Sequence, residues 1–110
     1  MTHPSGKNSA RDRIARILKN VRAIPEGFVQ TYGDVDPFAP RLVGHVLATA
    51  SADVPWHRVV RADGSAPQGQ RQLQRLRKEG VPMRGNRINM ALARWPPGAK
   101  LVRVRRPAPS

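Results

Sequence analysis

His57 and Glu79 are the side chains best suited to acid–base work in this chain: an imidazole, and a carboxylate able to accept a hydrogen bond from its ring. His57 stands in the run Pro55-Trp56-His57-Arg58-Val59. A hydrolase or transferase built on such a pair also needs a nucleophile or a metal. The chain contains no cysteine, which excludes thiol catalysis, disulfides and thiolate zinc sites. The histidines, His3, His45 and His57, have no ligand-like spacing, so neither a metal nor a cofactor is expected. A tryptophan beside the imidazole reads in two ways, as a core anchor or as one wall of a pocket.

The partner is suggested by charge. Twenty Lys and Arg against seven Asp and Glu give a net charge of +13 on 110 residues, which a domain of this size carries mainly when it meets a polyanion. Most of the cations are arginines, whose planar fork suits phosphates and base edges. Nucleic acid is the expected partner. No apolar run approaches the about 20 residues of a membrane span, and the first residues lack a signal-peptide core, so the expected location is cytoplasmic and DNA-associated, without membrane contact.

The elements that must position these residues follow from periodicity and punctuation. Residues 1–8 and 105–110 read as flexible tails around a single domain over 9–104. Ser9 can cap a helix over 9–23, where Ile14, Ile17, Leu18 and Val21 recur at helical spacing. Phe28 to Tyr32 reads as a short extended segment before a turn at Gly33. Pro40 suits the first turn of a second helix reaching Thr49, with Leu42, Val43, Val46 and Leu47 on its apolar face. Gly44 and Ala48 share one side of it, leaving room for a close approach by another helix or by DNA. His57 to Arg61 has strand character, Asp63-Gly64 marks a turn, and a third helix fits residues 69–79 with Leu73 and Leu76 inward and Gly80 beyond its end. A turn at Trp95-Pro96-Pro97-Gly98 and a strand over 101–104 complete the reading. The expected fold is mainly α with short strands (α+β), a winged helix-turn-helix variant.

Five motifs occur in order: Ile24-Pro25-Glu26-Gly27, Thr31-Tyr32-Gly33-Asp34-Val35, Pro40-Arg41-Leu42-Val43-Gly44, Pro55-Trp56-His57-Arg58-Val59-Val60 and Glu79-Gly80. Together they resemble the C-terminal DNA-binding domain of the O6-alkylguanine-DNA alkyltransferases, with Trp56 at the place of the alkyl-accepting cysteine. This points to the non-enzymatic, alkyltransferase-like branch. An indole has no lone pair able to displace an alkyl group as a thiolate does, so the resemblance implies binding without repair. It implies that Arg41 is the arginine finger filling the gap left by a flipped nucleotide, and that Arg41, Gly44, His45 and Ala48 line a helix lying in the minor groove. It implies a lesion pocket of Tyr32, Leu47, Pro55, Trp56 and Val59, with the carbonyls of Trp56 and Val59 reading the guanine amine. His57, Arg58 and Glu79 become structural supports of that pocket. The implied partner is double-stranded DNA containing O6-alkylguanine, bound by a monomer that hands the lesion to nucleotide excision repair proteins. The alternative is a winged-helix regulator or architectural protein without lesion preference. The loop over 49–54 and the segment over 65–70 are shorter than in the enzymes, and the latter leaves open which residue closes the pocket.

Overall fold

Helix α1, Ser5–Arg22, opens the structure, a computed structural model that describes residues 5–96. It begins four residues ahead of the expected start, so Ser9 lies inside the helix and is not its cap. Ile17 and Val21 are buried, and the helix closes with Lys19 and Arg22 in the last turn, where the negative end of the helix dipole favours cations. Strand β1, Gln30–Thr31, pairs in parallel with β2, Val59–Val60, in the register Gln30 to Val59 and Thr31 to Val60. Val29 extends this layer on the other side, donating to the Ala93 carbonyl at 2.9 Å and accepting from the Trp95 N–H at 2.8 Å.

Tyr32 does not continue the strand, as expected from sequence, but starts a one-turn helix α2, Tyr32–Val35. The cause is a capping box: the Thr31 hydroxyl accepts from the Asp34 N–H at 3.0 Å and the Asp34 carboxylate accepts from the Thr31 N–H at 3.0 Å. Helix α3, Pro40–Ala48, starts at its proline as expected, burying Val43 and Val46. A Cβ on Gly44 would stand 3.8 Å from Cε2 of Tyr32, so the absent side chain lets the tyrosine ring lie close to the α3 backbone.

Residues 57 and 58 are not strand either. Trp56–Arg58 form a 3-10 turn, with the Arg58 N–H donating to the Pro55 carbonyl at 3.0 Å, and only Val59–Val60 pair as β2. Helix α4, Gln70–Lys78, matches its expected span, with Leu73 and Leu76 inward. Its end is a Schellman motif: Val81 N–H reaches the Leu76 carbonyl at 3.1 Å and Gly80 N–H the Arg77 carbonyl at 3.0 Å, a geometry that places Gly80 at φ +80°. A hairpin follows, β3 at Met83–Arg84 and β4 at Arg87–Ile88 around a Gly85-Asn86 turn, and then α5 at Met90–Ala93. This hairpin is the wing. Gly64 docks it, since its carbonyl accepts from the Ile88 N–H at 2.8 Å and a Cβ there would stand 2.4 Å from the Ile88 carbonyl oxygen.

Two apolar clusters fill the fold. One gathers Ile17, Val21, Val35, Val43, Val46 and Val59 under α1 to α3. The other gathers Val29, Val60, Leu73, Leu76 and Ile88 under α4 and the wing. Val59 and Val60 point to opposite clusters because successive strand residues face opposite sides, which makes β2 the seam between them. The expected class, mainly helical with short strands and a winged helix-turn-helix, is the one observed. The strand expected over 101–104, the tail over 105–110 and part of the Trp95-Pro96-Pro97-Gly98 turn lie outside the described residues. No helix among the described residues is long and apolar enough to cross a membrane.

Candidate nucleic-acid interface

Helix α3 carries a solvent-facing stripe. Arg41, His45 and Ala48 are exposed and Gly44 is half-buried, with no bulky apolar side chain on that face. Behind the helix lies a cavity of about 360 Å³, inside the range of about 300–1,000 Å³ common for small-ligand sites. Four expected pocket residues, Tyr32, Leu47, Trp56 and Val59, line it together with Gly44 and Ala48 of the stripe. The expected Pro55 does not. Its carbonyl instead accepts the first hydrogen bond of the 3-10 turn, which fixes the direction of Trp56. Arg41 and His45 stand on the helix outside the cavity lining, and His45 faces a second groove with Ile14 and Leu18 of α1.

Trp56 belongs to neither apolar cluster and is half-buried. Its ring is held from the α4 side by two guanidinium groups, Arg71 at 5.2 Å and Arg75 at 5.4 Å from the centroid, which their spacing of one helical turn puts on a common face. The His57 ring meets it edge-on at 5.9 Å and 84°. The indole is thus held in place, and it lines the cavity. Burial pushes the Tyr32 hydroxyl above its ordinary pKa, more strongly than the charge of Arg61 lowers it, so that hydroxyl stays protonated and can donate.

His57, Arg58 and Glu79 converge into one buried network. Glu79 Oε2 lies 2.6 Å from His57 Nε2, and Arg58 grips both carboxylate oxygens, with Nε at 3.0 Å from Oε1 and Nη2 at 2.8 Å from Oε2. The Gly27 N–H donates to Oε1 at 3.2 Å, and Arg58 Nη1 donates to the Ile24 carbonyl at 2.9 Å. Burial alone would raise the Glu79 pKa, but the hydrogen bonds from Arg58, His57 and Gly27 outweigh it and bring it down to about 2. The carboxylate therefore stays ionised and acceptor-only, which requires His57 to donate through Nε2. Three segments are tied at this point: the loop after α1, the 3-10 turn and the end of α4. His57 Nδ1 is buried with no partner among the described residues.

Residues of α4 and of the segment before it, not singled out by the sequence, complete the site. Gln72 is fully buried; its Nε2 donates to the carbonyls of His57 at 3.0 Å and Val59 at 2.8 Å, while its Oε1 accepts from the Gln68 N–H at 3.0 Å. The Val59 carbonyl, expected to read a base, thus already has an intramolecular donor. The signal for Gln72 was a polar residue on the same inward face as Leu73 and Leu76. Arg71 lines the cavity, as does Gln68 from the segment whose closing residue the sequence left open. Groups of acidic and imidazole side chains that would hold a metal do not occur among the described residues.

A helix-turn-helix with a wing, an exposed outer stripe on its second helix and a cavity opening beside that stripe defines a DNA-binding domain. The family model for the DNA-binding domain of 6-O-methylguanine DNA methyltransferase matches residues 12–81, and the chain belongs to that family. It is similar to the DNA base-flipping protein of Escherichia coli, 44% identical over 92 residues, an alignment covering 73% of this chain and 71% of that protein. Among solved structures it resembles Schizosaccharomyces pombe Atl1 in complex with damaged DNA containing O6-carboxymethylguanine, with TM-score 0.68 and 28% identity over 79% of this chain and 97% of that one. A second structure from that organism, of ATL in complex with DNA, gives TM-score 0.69 at 27% identity, with the same coverage of 79% and 97%.

Proposed function

We propose that this protein recognises O6-alkylguanine in duplex DNA, docking α3 in the minor groove and flipping the damaged nucleotide into the cavity behind it, without removing the alkyl group. The observation that carries the reading is the cavity itself: Tyr32, Leu47, Trp56 and Val59 line it at the back of the exposed Arg41–Ala48 stripe, in a chain with no thiol to accept an alkyl group. The similarity to a base-flipping protein and to a structure bound to an O6-modified guanine supports it. O6-alkylguanine pairs poorly, so extruding it costs less than the few kcal/mol needed for a paired base. Trp56 then acts as a wall for the flipped base, and the His57–Arg58–Glu79 network holds the turn that carries it. In this reading the protein works where DNA is and passes the marked site to nucleotide excision repair proteins. Capture of those proteins on a lesion-bearing duplex only when this protein is present checks that step.

The test of recognition is the affinity for matched duplexes carrying guanine or O6-methylguanine at one position, in physiological salt, with the recovered DNA assayed for the methyl group. Preference for the lesion with the methyl group retained is the expected result. Equal affinity for both duplexes would return the protein to the class of winged-helix regulators, and loss of the methyl group would make it an enzyme. Arg41→Ala is expected to weaken lesion binding roughly tenfold, with a smaller effect on the undamaged duplex, because the finger fills the gap only when a base has left the stack. Equal losses on the two duplexes would reduce Arg41 to a phosphate contact.

A further inference from the structure

Phe38 is 88% exposed, the most exposed of the large hydrophobic side chains among the described residues. A lone apolar residue on a surface is ordinary. This one differs in its mounting and in its place. Asp36 is buried, and its Oδ1 accepts from the Phe38 N–H at 3.0 Å, while Arg13 of α1 clamps the same carboxylate at 3.2 and 3.4 Å. The Ala39 N–H closes the turn onto the Asp36 carbonyl at 3.2 Å, and Pro37 and Pro40 fix their own φ angles on either side. The tip is preorganised, and it holds an aromatic ring in water.

The tip is the turn of the helix-turn-helix. Phe38 lies two residues ahead of Pro40, the first residue of α3, at the end of the helix that carries Arg41. With Arg13, Arg16 and Asn20 of α1 it borders a recess of about 310 Å³. An apolar ring set among arginines at the leading end of a DNA-facing helix matches the chemistry of a minor groove, which offers sugars and base edges between two rows of phosphate, better than it matches a protein surface. We propose that Phe38 is a DNA-contacting side chain that enters the minor groove beside Arg41, its ring against sugars and base edges next to the extruded nucleotide, with Arg16 placed for the neighbouring phosphate. This rests on the minor-groove docking proposed above.

The experiment compares the full-length wild type with Phe38→Ala and Phe38→Leu, titrated onto guanine and O6-methylguanine duplexes at several salt concentrations. Phe38→Ala is expected to bind both duplexes roughly tenfold more weakly, keeping the ratio between them, with an unchanged slope of log K against log salt because no phosphate contact is lost. Phe38→Leu is expected to recover most of the affinity, and thermal unfolding should not move. Unchanged affinity of Phe38→Ala for both duplexes would overturn the proposal and turn attention to a protein partner. A loss accompanied by a slope shallower by about one unit would overturn it as well, since the tip would then serve phosphate geometry. A wild type without lesion preference would defeat the lesion reading alone, because the Phe38 effect is read on undamaged DNA too.

Discussion

Glu79→Ala is expected to lower the unfolding free energy by about 3 kcal/mol, the range in which breaking a buried, hydrogen-bonded ion pair falls. The carboxylate is 13% exposed, and its removal leaves the Arg58 guanidinium at 16% and the His57 ring at 8% exposure without their shared acceptor. The Gly27 N–H loses its partner too. The same hydrogen bonds make the stability depend on pH. The Glu79 pKa falls from 4.5 to about 2, and at about 1.4 kcal/mol per unit that difference corresponds to roughly 3–4 kcal/mol. Because the folded-state pKa is depressed, this stabilisation is fully present above pH 4.5 and is lost as the pH falls through about 2. Urea titrations of wild type and Glu79→Gln between pH 6 and pH 2 test it. The gap between the two proteins should close as the solution becomes acid, since the glutamine has no charge to lose. Parallel profiles across that range would mean that the network contributes no charge-dependent stability.

The same network explains why one part of the fold was not legible in the sequence. His57, Arg58, Val59 and Val60 alternate and branch like a strand, yet the first two belong to a 3-10 turn. Their side chains are drawn to Glu79, which arrives from the end of α4, and a contact across that distance in sequence outweighs local β-propensity. Helices α1, α3 and α4 were legible because each depends on a periodic apolar face, and α3 and α4 also have punctuation of their own: Pro40, and Gly80 after Leu73 and Leu76. A wing was expected but its strands were not placed, because two-residue strands are too short to show alternation, leaving only Gly85-Asn86 as a turn signal. The one-turn helix at Tyr32 was likewise announced only by Thr31 and Asp34 at cap spacing.

The site divides along the same line. Tyr32, Leu47, Trp56 and Val59 lie far apart in the chain, and no spacing rule joins them; the order of the motifs did, through family resemblance, and the cavity joins them in space. Arg71, Arg75 and Gln72 carry no such mark. On α4 two arginines read as a solvated face, and only the fold shows that they flank an indole while Gln72 beneath them satisfies the carbonyls of the turn. Arginine on an aromatic face is a tertiary fact.

Trp56→Ala is expected to cost about 2 kcal/mol on the O6-methylguanine duplex, within the range for loss of one base–aromatic stack, and to leave binding of the undamaged duplex nearly unchanged. The two halves follow from where the ring sits. It lines the cavity behind α3, so in the proposed docking it would meet a nucleotide only after that nucleotide has left the duplex. Its absence from both apolar clusters means that the fold should survive the substitution, although Arg71 and Arg75 lose the ring they cover and become free to move over the cavity mouth. Trp56→Phe retains an aromatic face of smaller area and should fall between wild type and alanine. Affinities for both duplexes, measured beside a thermal unfolding curve for each variant, decide the matter. A mutant folded as before but weakened equally on both duplexes would place Trp56 on the DNA surface rather than in the pocket, and a mutant that fails to fold would make it the core anchor that a tryptophan in a small domain more commonly is.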